Sequence, residues 1–357
     1  MTLITRRGFI MVNKKMFIFF ITVCILILNP TAFAQTIVTN EVQQDVNQAE
    51  ISQAKGDYWE SVRSYSKAIA LDPGQVVLYK NRGNVYYRLG KYNEAMRDYN
   101  TAIALDHSYL DAYNNRGNIY NEFGEYEKAL KDYTQVILGN PRHAKAYYNR
   151  GIVYGNLVEY EKAVADYSKA IELNPLFTDA YNNRGNTYEL MEKYQEALKD
   201  YEKAIQLDAK YIHAYYNAGN IYAKLGENEL ALKFYGKAIK VEPQYVDAYN
   251  NIGITYASMK KHQKALKWYN QALQIDPKYT NAYNNRGNLY VEMGNYEEAL
   301  SDFNHAIELS PDNAGCYMNR ADLYEKIGQT EQAKTDYKRA VGLDSKYIKA
   351  VPRKYQY

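Results

Sequence analysis

The chain has 357 residues, 46% apolar and 24% charged, with a mean hydropathy of -0.59, which excludes a polytopic membrane protein. Its formal charge of +3 comes from the N-terminus: the first 34 residues hold Arg6, Arg7, Lys14 and Lys15 and no acid, and removing those four cations from 44 leaves 40 basic against 41 acidic side chains. A near-neutral body lacks the clustered Lys and Arg that phosphate binding needs, so nucleic acid is not expected as a partner, and two cysteines, Cys24 and Cys316, exclude a disulfide scaffold.

Read from the N-terminus, the first element is a leader. Met16 to Leu28 carries no charge, Lys14 and Lys15 precede it, and Pro30 and Ala32-Phe33-Ala34 follow. A basic region, a short apolar core and a small-residue exit form the pattern of a secretory signal peptide. Thirteen apolar-run residues fall short of the ~20 that a membrane span needs. Cleavage is expected after Ala34, making residues 1–34 the signal peptide and 35–41 a short N-terminal tail; the alternative is an uncleaved anchor. The mature chain is then expected to be periplasmic or extracellular, in the cell envelope, with no membrane contact beyond the leader. Met11 offers a second start, with Lys14 and Lys15 as the whole basic region. Thr5-Arg6-Arg7-Gly8-Phe9-Ile10 is similar to a twin-arginine export motif, but its lysines come after the motif and the apolar run is very apolar. Cys24 follows Val23 where a lipoprotein cysteine wants a small residue, so lipidation is not expected.

From Val42 the chain repeats every 34 residues without insertion. The nine units are 42–75, 76–109, 110–143, 144–177, 178–211, 212–245, 246–279, 280–313 and 314–347, leaving 348–357 as a C-terminal tail. Within a unit, numbered 1 to 34, position 8 is Gly or Ala, position 20 is Ala except Ser61, and position 27 is Ala except Val136. Positions 4 and 11 are Tyr from the second unit on, as in Tyr113 and Tyr120, and position 24 is Tyr except Phe303. Positions 4, 8 and 11 share one side of a helix, and so do 20, 24 and 27. Position 15 is often Gly, which permits a sharp helix end, and position 32 is often Pro, which stops the second helix. Each unit therefore reads as helix, tight turn, helix, turn, with small residues letting two helices approach and tyrosine rings filling the space beside them.

This pattern resembles the tetratricopeptide repeat over nearly the whole mature chain, with Tyr at position 4 in place of the usual Trp and Arg at position 7 in place of the usual Leu. The resemblance implies an all-α, right-handed superhelical solenoid whose first helices line an inner concave surface. Position 7 is Arg in six units (Arg82, Arg116, Arg150, Arg184, Arg286, Arg320), and the same six carry Asp at position 23 (Asp98, Asp132, Asp166, Asp200, Asp302, Asp336). The other three lose both together: Gln48 with Ser64, Ala218 with Phe234, Ile252 with Trp268. Positions 7 and 23 lie eight residues either side of position 15, hence level with each other in a helical hairpin. An Arg–Asp bridge is expected in the six units, and apolar contact in the units beginning at Ile212 and Val246.

Positions 2, 5, 6, 9 and 13 of the first helix lie opposite the packing tyrosines. Position 6 is Asn throughout: Asn47, Asn81, Asn115, Asn149, Asn183, Asn217, Asn251, Asn285 and Asn319. Position 9 adds Asn84, Asn118, Asn186, Asn220 and Asn288, and position 5 adds Asn114, Asn182, Asn250 and Asn284. Asn is a poor helix former, and its amide offers the donor and acceptor that a peptide backbone offers in return. The ladder is similar to that of the repeat domain of O-GlcNAc transferase, which implies a grip on extended polypeptide. It partly resembles the carboxylate clamp of chaperone-binding repeats, with Lys80 and Asn84 followed by Asn115, although Asn149 stands where that clamp wants Arg. Two blander readings remain: the amides bond to neighbouring helices or water, or their regularity is a relic of recent duplication.

No nucleotide, zinc or nucleophile motif is present; the five histidines fall at five different unit positions, and the carboxylates are spread along solvated helices. No cofactor, no metal and no enzymatic activity are expected, and Cys316 reads as a small buried residue. The polar helix Val42 to Lys55 reads as an N-terminal cap. Pro352 forbids a further full helix, so the C-terminal end is expected to lack a cap and to dock on a partner or on another copy. The favoured function is an exported scaffold binding an extended peptide or partner helix in its groove. The alternative is a structural subunit of an envelope secretion or outer-membrane assembly. A regulatory domain of a glycosyltransferase-like enzyme is the third, for which no chain remains to encode catalysis.

Overall fold

A computed structural model describes residues 30–355 of the chain. Most of the leader lies outside the described residues, Met16 to Leu28 and Cys24 included. The described residues form eighteen α-helices and two short 3-10 turns, with no strand among them. They divide into two compact units, one ending at Val158 and the other beginning at Glu159. In the first unit the helices are α1 (Pro30–Ala54), α2 (Tyr58–Leu71), α3 (Val76–Arg88), α4 (Tyr92–Leu105), α5 (Leu110–Glu122), α6 (Tyr126–Gly139) and α7 (Ala144–Asn156). The second unit holds α8 (Tyr160–Leu173), α9 (Thr178–Leu190), α10 (Tyr194–Leu207), α11 (Ile212–Lys224), α12 (Asn228–Val241), α13 (Val246–Ser258), α14 (His262–Ile275), α15 (Thr280–Met293), α16 (Tyr296–Leu309), α17 (Ala314–Lys326) and α18 (Thr330–Leu343). Within each unit every helix packs on the next, and the first helices of successive repeats also touch.

The packing follows the small-and-large pattern. The alanines of positions 20 and 27, such as Ala95 and Ala102, are fully buried, and so are the position-24 rings, among them Tyr99, Tyr133, Tyr201 and Phe303. Where position 8 is glycine the ring lies on its bare backbone: a Cβ on Gly253 would come within 2.5 Å of the Tyr269 ring. Position 15 is left-handed throughout, with φ from 68° to 81° at its glycines; Val158, Glu192 and Lys260 take the same conformation at 62°, 59° and 56°. The second helices end where a position-31 side chain turns back, as Asp106 accepts from the backbone N–H of Ser108 at 2.8 Å and Asp208 from that of Lys210 at 2.8 Å.

Both ends differ from expectation. Among the described residues the first helix is Pro30–Ala54, so it includes 35–41, read above as a short tail, as well as Ala32-Phe33-Ala34. Val42 and Ala49 on it are buried. At the other end Pro352 does prevent a further helix, yet the tail is not idle. It folds back as 3-10 turns at Ser345–Lys349 and Arg353–Tyr355. Val351 and Tyr355 become buried in the cluster of Ala333, Tyr337 and Ala340, with the Tyr337 and Tyr355 rings 5.2 Å apart. Lys354 pairs with Glu325 at 2.6 Å. The expectation of an uncapped C-terminus is therefore corrected: a proline stops a helix but leaves short turns able to carry two apolar side chains back onto the last hairpin.

Candidate functional site

The arginines of position 7 hold the scaffold on which the first-helix face is displayed. Arg116 donates through Nε and Nη2 to both oxygens of Asp132, at 2.8 and 2.7 Å. The same two-pronged pair joins Arg82 to Asp98, Arg184 to Asp200, Arg286 to Asp302 and Arg320 to Asp336. Each guanidinium sits between the rings of positions 4 and 11; Arg116 lies 5.3 Å from the centre of Tyr113 and 5.8 Å from that of Tyr120. Its Nη1 reaches backwards into the preceding repeat, to position 25. Arg82 bonds Ser66, Arg116 bonds Asn100, Arg150 bonds Thr134, Arg184 bonds Ser168, Arg286 bonds Asn270 and Arg320 bonds Asn304. Sequence reasoning missed this partner although a signal was there: those six residues are Ser, Asn or Thr, while Glu202 and Gly236 precede the two repeats that lack the arginine.

In those two repeats an aromatic ring takes the arginine's place. Phe234 tilts against Tyr222 at 5.1 Å and Tyr215 at 6.4 Å, and Trp268 against Tyr249 at 5.7 Å. Ala218 and Ile252 complete the apolar contact expected there.

The asparagines are bonded to one another in a fixed order. In the first unit the Tyr99 hydroxyl donates to Asn84 Oδ1 at 2.8 Å, and Asn115 Nδ2 donates to the same oxygen at 2.8 Å. One repeat on, Tyr133 and Asn149 do the same to Asn118, at 2.7 and 3.0 Å. In the second unit Tyr201 and Asn217 converge on Asn186, and Tyr235 and Asn251 on Asn220. Position 6 therefore ties its repeat to position 9 of the one before. Position 5 adds cross-links: Asn149 also donates to Asn114, Asn217 to Asn182, Asn285 to Asn250 and Asn319 to Asn284. Asn114, Asn149 and Asn182 are buried and brace the stack rather than facing solvent. Asn183 accepts from Asn182 and stays half-buried. Asn81 lies beside the Tyr65 hydroxyl, which accepts from Gln53 Nε2 at 3.3 Å. Asn288 is exposed, and position 24 of its repeat is Phe303, which offers it no hydroxyl. Lys80 is half-buried.

This network fixes the amide orientation. A carbonyl oxygen has two lone pairs, and those of Asn84, Asn118, Asn186 and Asn220 are both engaged. What the amides of Asn84, Asn118 and Asn186 have left is N–H, while that of Asn220 lies beside the Tyr216 hydroxyl. Around Asn118 the first unit forms a cavity of about 310 Å³ lined by Tyr87, Asn121, Glu122, Tyr133, Asn149 and Ile152. Glu122 accepts there from the hydroxyls of Tyr87 at 2.8 Å and Tyr92 at 3.0 Å. Burial first, and then the bond to Glu122, push the Tyr87 hydroxyl up to about 12. Burial also raises the Tyr133 hydroxyl well above its ordinary value, so the tyrosines stay neutral donors.

Among the described residues no group of His, Cys, Asp and Glu could hold a metal ion, and no helix is long and apolar enough to cross a membrane. Cys316 is buried, as expected, and burial raises its thiol to about 11. His143 caps α7 by accepting from the Ala146 N–H at 3.0 Å.

Family models described as TPR repeat match residues 53–90, 83–122 and 117–158, and others described as tetratricopeptide repeat match 144–177, 178–211, 213–278, 252–317 and 303–335. No curated protein matches the chain. Among solved structures, one of MamA is 28% identical over 48% of this chain and 94% of MamA, with a TM-score of 0.43. A second MamA structure is 30% identical over 45% and 95%, with a TM-score of 0.42. YrrB, described as a TPR protein with an unusual peptide-binding site, is 29% identical over 52% and 95%, with a TM-score of 0.41.

Proposed function

We propose that this chain, which belongs to the tetratricopeptide-repeat family, is an exported scaffold that holds an extended polypeptide along its first-helix face. Such repeats are typical scaffolds for protein–protein interaction. The finer reading is supported by one observation: Asn84, Asn118 and Asn186 have their oxygens occupied twice over and their N–H groups left over. Oriented N–H donors on each compact unit suit main-chain carbonyl oxygens, which every polypeptide carries whatever its side chains. Export is supported by the basic, apolar and small-residue sequence of the first 34 residues.

The test is Asn118→Asp combined with Asn186→Asp on a peptide array. Aspartate keeps an oxygen for Tyr133 and Asn149, and for Tyr201 and Asn217, while replacing the donor with a charged acceptor that repels a carbonyl. Wild-type binding of extended peptides and at least a tenfold loss (about 1.4 kcal/mol) in the double variant are expected, with circular dichroism unchanged. Equal binding by both proteins refutes the grip. Mass spectrometry of protein from fractionated cells checks export, which fails if the chain is found uncleaved in the cytoplasm.

A further inference from the structure

We propose that the second unit carries a subsite for a cationic side chain, lysine or arginine, of the bound polypeptide, formed by the Asp247 carboxylate with Tyr216, Tyr245 and Tyr279. It rests on the groove reading above and adds the chemistry of one recognised residue. Asp247 lies in the first turn of α13, on the face that carries the amides. The Tyr279 hydroxyl donates to its Oδ1 at 2.5 Å. The rings of Tyr216 and Tyr245 meet edge to face at 5.3 Å, and His213 stands 6.4 Å from Tyr245. Asn251 bonds the Tyr216 hydroxyl at 3.0 Å, which joins this cluster to the amide row. Burial first and the Asp247 charge second raise the hydroxyls of Tyr216 and Tyr245, the latter to about 12, so both rings feel this carboxylate.

The charge balance around Asp247 is uneven. Three acids of the second unit have a cationic partner: Glu189 lies 3.9 Å from Lys224, Glu292 3.2 Å from Lys260 and Glu325 2.6 Å from Lys354. Asp247 is half-buried and pairs with no Lys or Arg among the described residues. Asp179 at the same unit position also accepts from a tyrosine, Tyr211 at 2.7 Å, but it is exposed. A half-buried carboxylate is stabilised by an opposite charge, and aromatic faces attract cations in addition. A lysine or arginine side chain satisfies both and leaves its main chain free for the amides.

The experiment uses the full mature chain with ring-labelled tyrosine, its resonances assigned by single Tyr→Phe variants. The probes are the N-acetyl, N-methylamide derivatives of lysine, arginine and norleucine. Lysine and arginine are expected to shift Tyr216, Tyr245 and Tyr279 saturably and norleucine is not. Asp247→Asn, which keeps an oxygen for Tyr279, is expected to weaken the response about tenfold. Equal shifts from norleucine, or an unchanged response in Asp247→Asn, overturn the subsite. If that variant fails to fold, the lysine and norleucine comparison on the wild-type chain still decides. Ring shifts without any peptide binding would remove the amide grip alone. Amide-dependent peptide binding without ring shifts would remove the subsite alone.

Discussion

The second and third repeats and the sixth and seventh fill the same socket with opposite chemistry. In the former a guanidinium lies between two tyrosine rings and is clasped by an aspartate, as Arg116 is by Tyr113, Tyr120 and Asp132. In the latter Phe234 or Trp268 leans on the same tyrosine positions and no charge is buried. What the tyrosine pair selects is a flat group, charged or not. The aspartate is required only because a cation was chosen.

Breaking one half of the charged pair should show the largest effect. Asp132→Ala leaves Arg116, 18% exposed, without its carboxylate, and a loss of about 3–5 kcal/mol is expected, read as a lower urea midpoint. Replacing both partners tests the socket itself. Arg116→Ala with Asp132→Phe imports the sixth-repeat solution and should recover most of that loss, to within about 1.5 kcal/mol of wild type; a double variant as unstable as Asp132→Ala would show that the two fillings are not equivalent. A smaller contrast lies in the tyrosine hydroxyls. Tyr133→Phe removes a bond to Asn118 and should cost about 1 kcal/mol. Tyr269→Phe should cost less, because position 9 of its repeat is Ile254 and offers no amide to its hydroxyl. Equal midpoints for the two variants would deny the amide network any energetic role. The smallest change expected is a gain: Val158 holds a left-handed φ of 62°, and Val158→Gly should raise the thermal midpoint by the equivalent of up to about 1 kcal/mol.

Much of this was legible because nine copies act as their own comparison. The loss of Arg and Asp together in the units beginning at Ile212 and Val246 disclosed a contact, and helical spacing disclosed which positions pack. The rest escaped where a bond leaves its own repeat. The arginine's third partner is 16 residues upstream, beyond the turn, as in Arg116 to Asn100. The amides meet across 31 residues, as in Asn149 to Asn118; periodicity marked their face and left bonding between neighbouring helices as one reading of it, without naming the partners. At the C-terminus Pro352 announced that no further α-helix forms among the described residues. It could say nothing of Val351 and Tyr355 returning to the core, because tertiary burial decides that.

The backward reach of each position-7 arginine makes repeat order part of the stability of the array. A repeat bearing that arginine fits only behind one that ends in a short hydroxyl or amide at position 25. The sixth and seventh repeats, entered through Glu202 and Gly236, cannot be shuffled singly among the others without stranding a donor. Growth or trimming of this array by recombination is therefore permitted at some junctions and penalised at others, and a protein engineer splicing it would have to respect the same junctions.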